Sequence, residues 1–283
     1  MAPLGVLGGM GVLLFFFVSG YGIQKSYFSK KPTMVFWKKR ICNMFIPAFL
    51  VCLLSVVISN IKSLSVLGFA QIIKETMLMQ WFVLAIMLEY LLFFVGWLLS
   101  YKIKKKYIEF ITVFVGNIGL TVYFILVGAN PRWYSGLMVF LAGMLVAGFE
   151  QRILSLKKKQ HIAGGIVSIL AFGVMGILFN MLKAAFWSTI LKSLAGIFLA
   201  MFFVSAVLLF KVGNKAANWV GERSLYIYLC HLGILQIIGA LLWDNSIINT
   251  RWYIAIWIMI VGTPLYAAIM HWIFGTLLSR KKS

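Results

Sequence analysis

Acidic side chains are almost absent from this chain, with six Asp and Glu among 283 residues. That supply is too small to cage a divalent cation in oxygen ligands, and no Walker loop, paired-histidine metal motif or GxSxG elbow occurs in the sequence. No metal site and no ATP chemistry are expected. Charge of either sign is scarce as well, at 11% of residues against roughly 25% in soluble domains. Only three cysteines occur, Cys42, Cys52 and Cys230, in or beside apolar segments at spacings that match no redox or metal pattern. They read as small packing residues. No soluble domain, long linker, low-complexity tract or internal repeat interrupts the chain, which is read as one integral membrane domain over 1–283.

What fills the sequence is apolar. Hydrophobic residues make up 63% of it and the mean hydropathy is +0.99, and several charge-poor runs reach the roughly 18 to 20 residues that cross a bilayer. Spanning stretches are drawn at 5–23, 42–60, 78–100, 108–128, 134–149, 162–182, 190–210, 224–243 and 252–278. The expected fold is all-α: a polytopic transmembrane bundle of about nine spans, in contact with membrane lipids throughout.

The net charge of +20 invites comparison with nucleic-acid binders, but those gather Lys and Arg on one solvated face. Here the cations sit in connectors between apolar runs, and no nucleic-acid partner is expected. Twenty of the 26 basic residues fall in alternate connectors, around 25–40, 102–106, 152–159, 211–223 and 280–282; the other six lie on the opposite side. Under the positive-inside rule this alternation puts the C-terminus in the cytoplasm and, with nine spans, the N-terminus outside. The opening residues, MAPLGVLGGMGVLL, have no basic n-region, and no small-residue cleavage site follows the first apolar run. A segment upstream is expected to be missing.

Polar groups at membrane depth are costly and face a partner or a cavity. Glu89, in QWFVLAIMLEYLLFFVGW, is either a carboxyl paired for packing or a functional acid. His231, in SLYIYLCHLGI with Tyr226 and Tyr228 nearby, is either a hydrogen-bonded structural histidine or a general base with a pKa near neutrality. His271 reads as interfacial and His161 as a loop residue. Ser19, Gly20 and Gly22 close the first span, where small residues permit close helix approach or a broken helix. Lys38, Lys39 and Arg40 stand at the entrance of the second span, with Pro47 inside it. They set orientation and meet anionic lipid, or they form a phosphate-binding mouth suited to the guanidinium of Arg40. The connector 61–77 contains SLSVLGFAQIIK, a candidate interfacial or re-entrant helix.

Read in order, GMGVLLFFFVSGYGI (9–23), FWKKRICNMFIP (36–47), QWFVLAIMLEY (80–90) and GERSLYIYLCHLGI (221–234) resemble the acyltransferase 3 family of membrane O-acyltransferases. The resemblance implies a bundle of about ten helices that moves an acyl group, commonly acetyl, from a cytoplasmic acyl-CoA to a hydroxyl of an extracytoplasmic glycan or lipid-linked sugar. The expected location is a bacterial plasma membrane, with acyl-CoA as co-substrate and no permanently bound cofactor. Arg40, with Lys38 and Lys39, matches the donor entrance; Trp81 and Glu89 match the family's Trp-to-Glu helix; Tyr228 and His231 match its late Tyr-Leu-x-His motif. Glu89 and His231 are the expected catalytic residues, and Ser19, Gly20, Trp81 and Tyr228 the channel and structural motif. Two departures stand out: the family's first helix, with its histidine, would lie upstream of residue 1, so the chain as written is expected to lack the main base, and Asn43 stands where many relatives carry a second cation. A small-molecule transporter or flippase component and a non-catalytic family member are the alternatives.

Overall fold

The computed structural model describes residues 2–27, 30–60, 68–182, 185–210, 214–242 and 252–279, and every regular element among them is helical. Apolar segments of this length take that form because lipid offers no partner for a backbone N–H or C=O, which a helix pairs within itself.

Two compact units divide the chain. The first comprises residues 1–33 and 85–212, with helices α1 (Ala2–Tyr27), α6 (Tyr107–Leu126), α7 (Leu137–Gly148), α8 (Glu150–Leu154), α9 (Lys158–Met181), α10 (Ala185–Phe210) and most of α5 (Trp81–Ile103). Helix α1 packs along α7 and touches α10, and α9 lies along α10. Leu13, Phe16, Phe17, Val139, Phe140 and Met144 are buried there. The α1–α7 contact is unusually close. A Cβ on Gly20 would strike the Phe140 carbonyl, and one on Gly143 would strike the Phe17 carbonyl. Just past the Val127 cap of α6 stands Gly128, whose φ of +67° suits the residue that closes a helix; the Ala129 amide returns to the Phe124 carbonyl at 2.9 Å.

The second unit comprises residues 34–84 and 213–283. Helix α2 (Val35–Arg40) runs through a π-helical turn (Ile41–Phe45) into α3 (Ile46–Ser59); α4 (Phe69–Met79), α11 (Lys215–Leu242) and α12 (Trp252–Ser279) follow. Helix α3 packs on α4 and α11, and α11 on α12.

Among the described residues each of the nine drawn stretches overlaps a helix, but 78–100 starts in α4 and crosses a break at Gln80 before α5, and 134–149 begins in turns ahead of α7. Among the described residues, five helices are long and apolar enough to cross a membrane: Val35–Ile58, Trp81–Ile103, Tyr107–Leu126, Lys158–Phe179 and Phe186–Phe210. The stretch 134–149 becomes the 12-residue α7, about 18 Å long at the usual helical rise, well short of the roughly 30 Å hydrocarbon core. The second stretch starts earlier than its apolar run. Helix begins at Val35, so Lys38, Lys39 and Arg40 lie on a helix rather than in a connector. In the connector 61–77, helix begins at Phe69, and residues 61–67 lie outside the described ones.

Candidate functional site

In the second unit the structure joins two of the segments singled out in the sequence. The Phe82 ring, next to Trp81 at the start of α5, meets the Tyr228 ring of α11 edge-on, with centroids 4.9 Å apart. Tyr228 in turn lies 5.2 Å from the His231 ring, one helical turn on. Trp81 and Phe82 are themselves edge to face at 6.2 Å. The four rings form a continuous row, Trp81–Phe82–Tyr228–His231, at separations typical of favourable aromatic pairs. Phe82 is buried and His231 half-buried. The imidazole lies in reach of the backbone carbonyls of Ile227 and Tyr228, to which a ring N–H can donate.

Arg40 closes α2 just before the π turn. It is half-buried with its Nε enclosed, and its guanidinium sits over the Phe36 ring at 5.6 Å. Lys38 and Lys39 are exposed on the same helix. The result is one cation held against an aromatic face and two free to follow solvent, an arrangement able to grip a phosphate from one fixed and two adjustable sides. Asn43 is exposed in the π turn.

Glu89 belongs to the first unit and is fully enclosed. Among the described residues neither carboxyl oxygen has a hydrogen-bond partner at ordinary geometry, and the side chain beside it is that of Asn117 on α6. Asn117 is also fully buried, and its amide donates to the Leu137 carbonyl at the start of α7 over 2.9 Å. A second buried pair lies nearer the end of α1, where the Gln24 amide donates to the Glu109 carboxyl at 2.6 Å. Sequence reasoning passed over Asn117, Gln24 and Glu109. Asn117 carried a signal, an amide inside the apolar run of α6; Gln24 and Glu109 stood too near the ends of their runs to look buried.

Of the channel motif, Gly20 is at the α1–α7 crossing, Ser19 is half-buried, and a Cβ on Gly22 would meet nothing within 4 Å. Close helix approach is the role the structure gives Gly20. Just beyond, the Lys25 ammonium and the Tyr21 hydroxyl both bind Glu150 Oε1, at 2.6 and 3.0 Å. Above this polar knot a groove of about 490 Å³ runs between α1 and α10, walled by Leu14, Phe17, Val18, Phe203 and Val207. Those walls suit hydrocarbon, and the polar groups that line the groove are Tyr21 and Glu150, both engaged in the knot. Cys52 and Cys230 are buried and Cys42 half-buried, all as free thiols. His161 opens α9 in a half-buried position, and the side chain of His271 lies outside the described residues.

Long apolar helices carrying a few enclosed polar groups define a multi-pass membrane protein. The family model of the acyltransferase domain, acyltransferase 3, matches residues 1–271. The chain belongs to the acyltransferase 3 family, which implies a membrane acyltransferase. No curated protein and no solved structure matches it.

Proposed function

We propose that this protein transfers an acyl group, most simply acetyl, from a cytoplasmic acyl-CoA to a hydroxyl of an extracytoplasmic glycan or lipid-linked sugar. The observation that carries the reading is the aromatic row, which braces His231 against the start of α5 through Tyr228 and Phe82. A base held in one orientation is what attack on a thioester requires. His231 takes the proton as the sugar hydroxyl attacks the thioester carbonyl. The C–S bond then breaks, and the proton passes to the departing thiolate, giving an ester and a free thiol.

Arg40, Lys38 and Lys39 hold the donor's phosphates at the basic end of α2. Glu89 is enclosed beside Asn117 and contributes by fixing α5 against α6 rather than by touching substrate. The proposed setting is a bacterial plasma membrane, crossed by about nine spans with the C-terminus in the cytoplasm and the N-terminus outside. The basic residues of alternate connectors support it.

The test is acetyl-CoA protection of the purified protein against heat. Protection is expected for the wild type and for His231→Ala, with acyl transfer lost only in the latter; Arg40→Ala is expected to lose protection. Protection that survives Arg40→Ala removes the donor site from α2. No response to acetyl-CoA, together with stabilisation by a small solute, would instead favour a transporter.

A further inference from the structure

The π turn between Arg40 and α3 has an identifiable cause and a calculable consequence. Its signature is the Ile46 amide, which reaches back five residues to the Ile41 carbonyl. Next in sequence is Pro47, which has no amide hydrogen and whose ring crowds the carbonyl four residues earlier, that of Asn43. An α-helical turn through Asn43 would leave that carbonyl unpaired and clashing. Widening the turn relieves both, and π turns of this kind recur at functional sites.

A π turn adds one residue to the helix without adding a turn, so everything upstream is rotated by about 100° relative to a continuous α-helix. The buried stripe of α3 is Pro47, Ala48, Val51, Cys52, Ser55 and Val56. Counted back from its midpoint between Val51 and Cys52 at about 3.6 residues per turn, three turns arrive at Ile41 and four at Trp37. The observed face is one residue earlier. Phe36 is fully buried, Arg40 is half-buried over its ring, and Ile41 is turned outward at 39% exposure.

We propose that Pro47 is a positioning residue: through the π turn it rotates Arg40, in place of Ile41, onto the buried face of this helix, where the guanidinium meets the acyl-CoA donor. The rotation is a structural statement; its consequence for the donor rests on the reading of Arg40 given above. It also makes the neutral Asn43 intelligible, because a residue inside the widened turn faces outward and serves as backbone rather than as a ligand.

The experiment uses the full chain and two readouts. The first is the reactivity of Ile41→Cys, in a chain carrying Cys42→Ala, toward a water-soluble maleimide. The second is the apparent affinity for acetyl-CoA from thermal protection. With Pro47 present, position 41 is expected to react; Pro47→Ala lets the turn close to α and buries it, slowing the reaction severalfold. The same substitution is expected to weaken acetyl-CoA by about tenfold or more, as for loss of a charge-assisted hydrogen bond, with kcat at saturating donor changed less than KM. Deleting residue 42 in the Pro47→Ala chain restores the original phase of Arg40 by removing a residue instead of widening a turn. Donor affinity is then expected to return, which a merely unfolded variant would not show.

Unchanged labelling in Pro47→Ala would overturn the rotation. Labelling that shifts while donor affinity holds in Pro47→Ala but falls in Arg40→Ala would overturn the positioning role. Affinity that holds in Arg40→Ala as well would refute the donor reading alone and leave the rotation standing.

Discussion

Gly20 and Gly143 form a reciprocal clasp: each faces a backbone carbonyl of the opposite helix, Gly20 that of Phe140 and Gly143 that of Phe17. With no side chain at either position, the two helices approach backbone to backbone, the packing mode that lipid favours because burial of apolar surface gives no net gain there. Gly136 and Gly196 serve α1 differently, leaving room for the side chains of Phe16 and Leu13 respectively.

Gly20→Ala and Gly143→Ala should therefore each destabilise the protein by at least the ~1–3 kcal/mol typical of overpacking, since backbone rather than a flexible side chain must give way. Gly22→Ala meets open space and should be neutral or stabilising by up to ~1 kcal/mol through helix propensity. Thermal unfolding of the three variants in one detergent distinguishes them; equal losses at 20 and 22 would exclude the clasp.

Asn117 donates to the carbonyl of Leu137 at the point where α7 begins. Replacing it with Leu removes that bond and leaves the Leu137 carbonyl only its partner within α7, at a cost of about 0.5–1.5 kcal/mol for one net hydrogen bond lost. Glu89→Gln keeps the shape and supplies a donor, so it should retain more stability than Glu89→Ala. The melting temperatures of the three variants carry the comparison, and a Glu89→Gln loss as deep as Glu89→Ala would show that the carboxyl does more than brace.

The Lys25–Glu150 pair lies at an exposed helix end and adds a small pH-dependent increment to stability. Its hydrogen bond from Lys25 holds the Glu150 carboxyl below its ordinary value of 4.5, and the same bond raises Lys25 above 10.5. Glu150's contribution is present above about pH 4.5 and is lost as pH falls through its lowered value; that of Lys25 is present below 10.5 and lost only as pH climbs through its raised one. Melting temperature followed from pH 6 downward should fall more steeply in wild type than in Glu150→Gln, and added salt should narrow the difference because the pair is solvent-screened.

Tyr228 acts through its ring in the aromatic row. Tyr228→Phe keeps the contacts with Phe82 and His231 and should leave acyl transfer near wild type. Tyr228→Ala frees the imidazole and should lower kcat by about 100-fold, the scale of a 1 Å misplacement, with KM for the donor little changed. A Tyr228→Phe loss equal to that of Tyr228→Ala would assign the work to the hydroxyl instead.

Helix positions were legible because lipid imposes a single rule on every apolar run, and among the described residues each drawn stretch overlaps a helix. Boundaries were less so. Helix continues through Lys38, Lys39 and Arg40 because long cationic side chains leave the axis while their backbone stays paired, which a hydropathy reading scores as the end of a span. Trp81 and His231 were legible as separate motifs, but their joining through Phe82 was not. Phe82 is one aromatic among 24 phenylalanines, and nothing local distinguishes the one that faces Tyr228.

The sequence by itself determined the solvent of this protein, its all-helical character and its family, since each follows from composition or from short motifs read along one chain. Tertiary structure alone decided which glycine is a crossing point, which amide holds Glu89's surroundings, and which face of its helix Arg40 occupies. The physical reason is that these depend on the rotation of one helix about its own axis and on what stands opposite. A single π turn changes that rotation by about 100° while leaving every residue in place in the sequence.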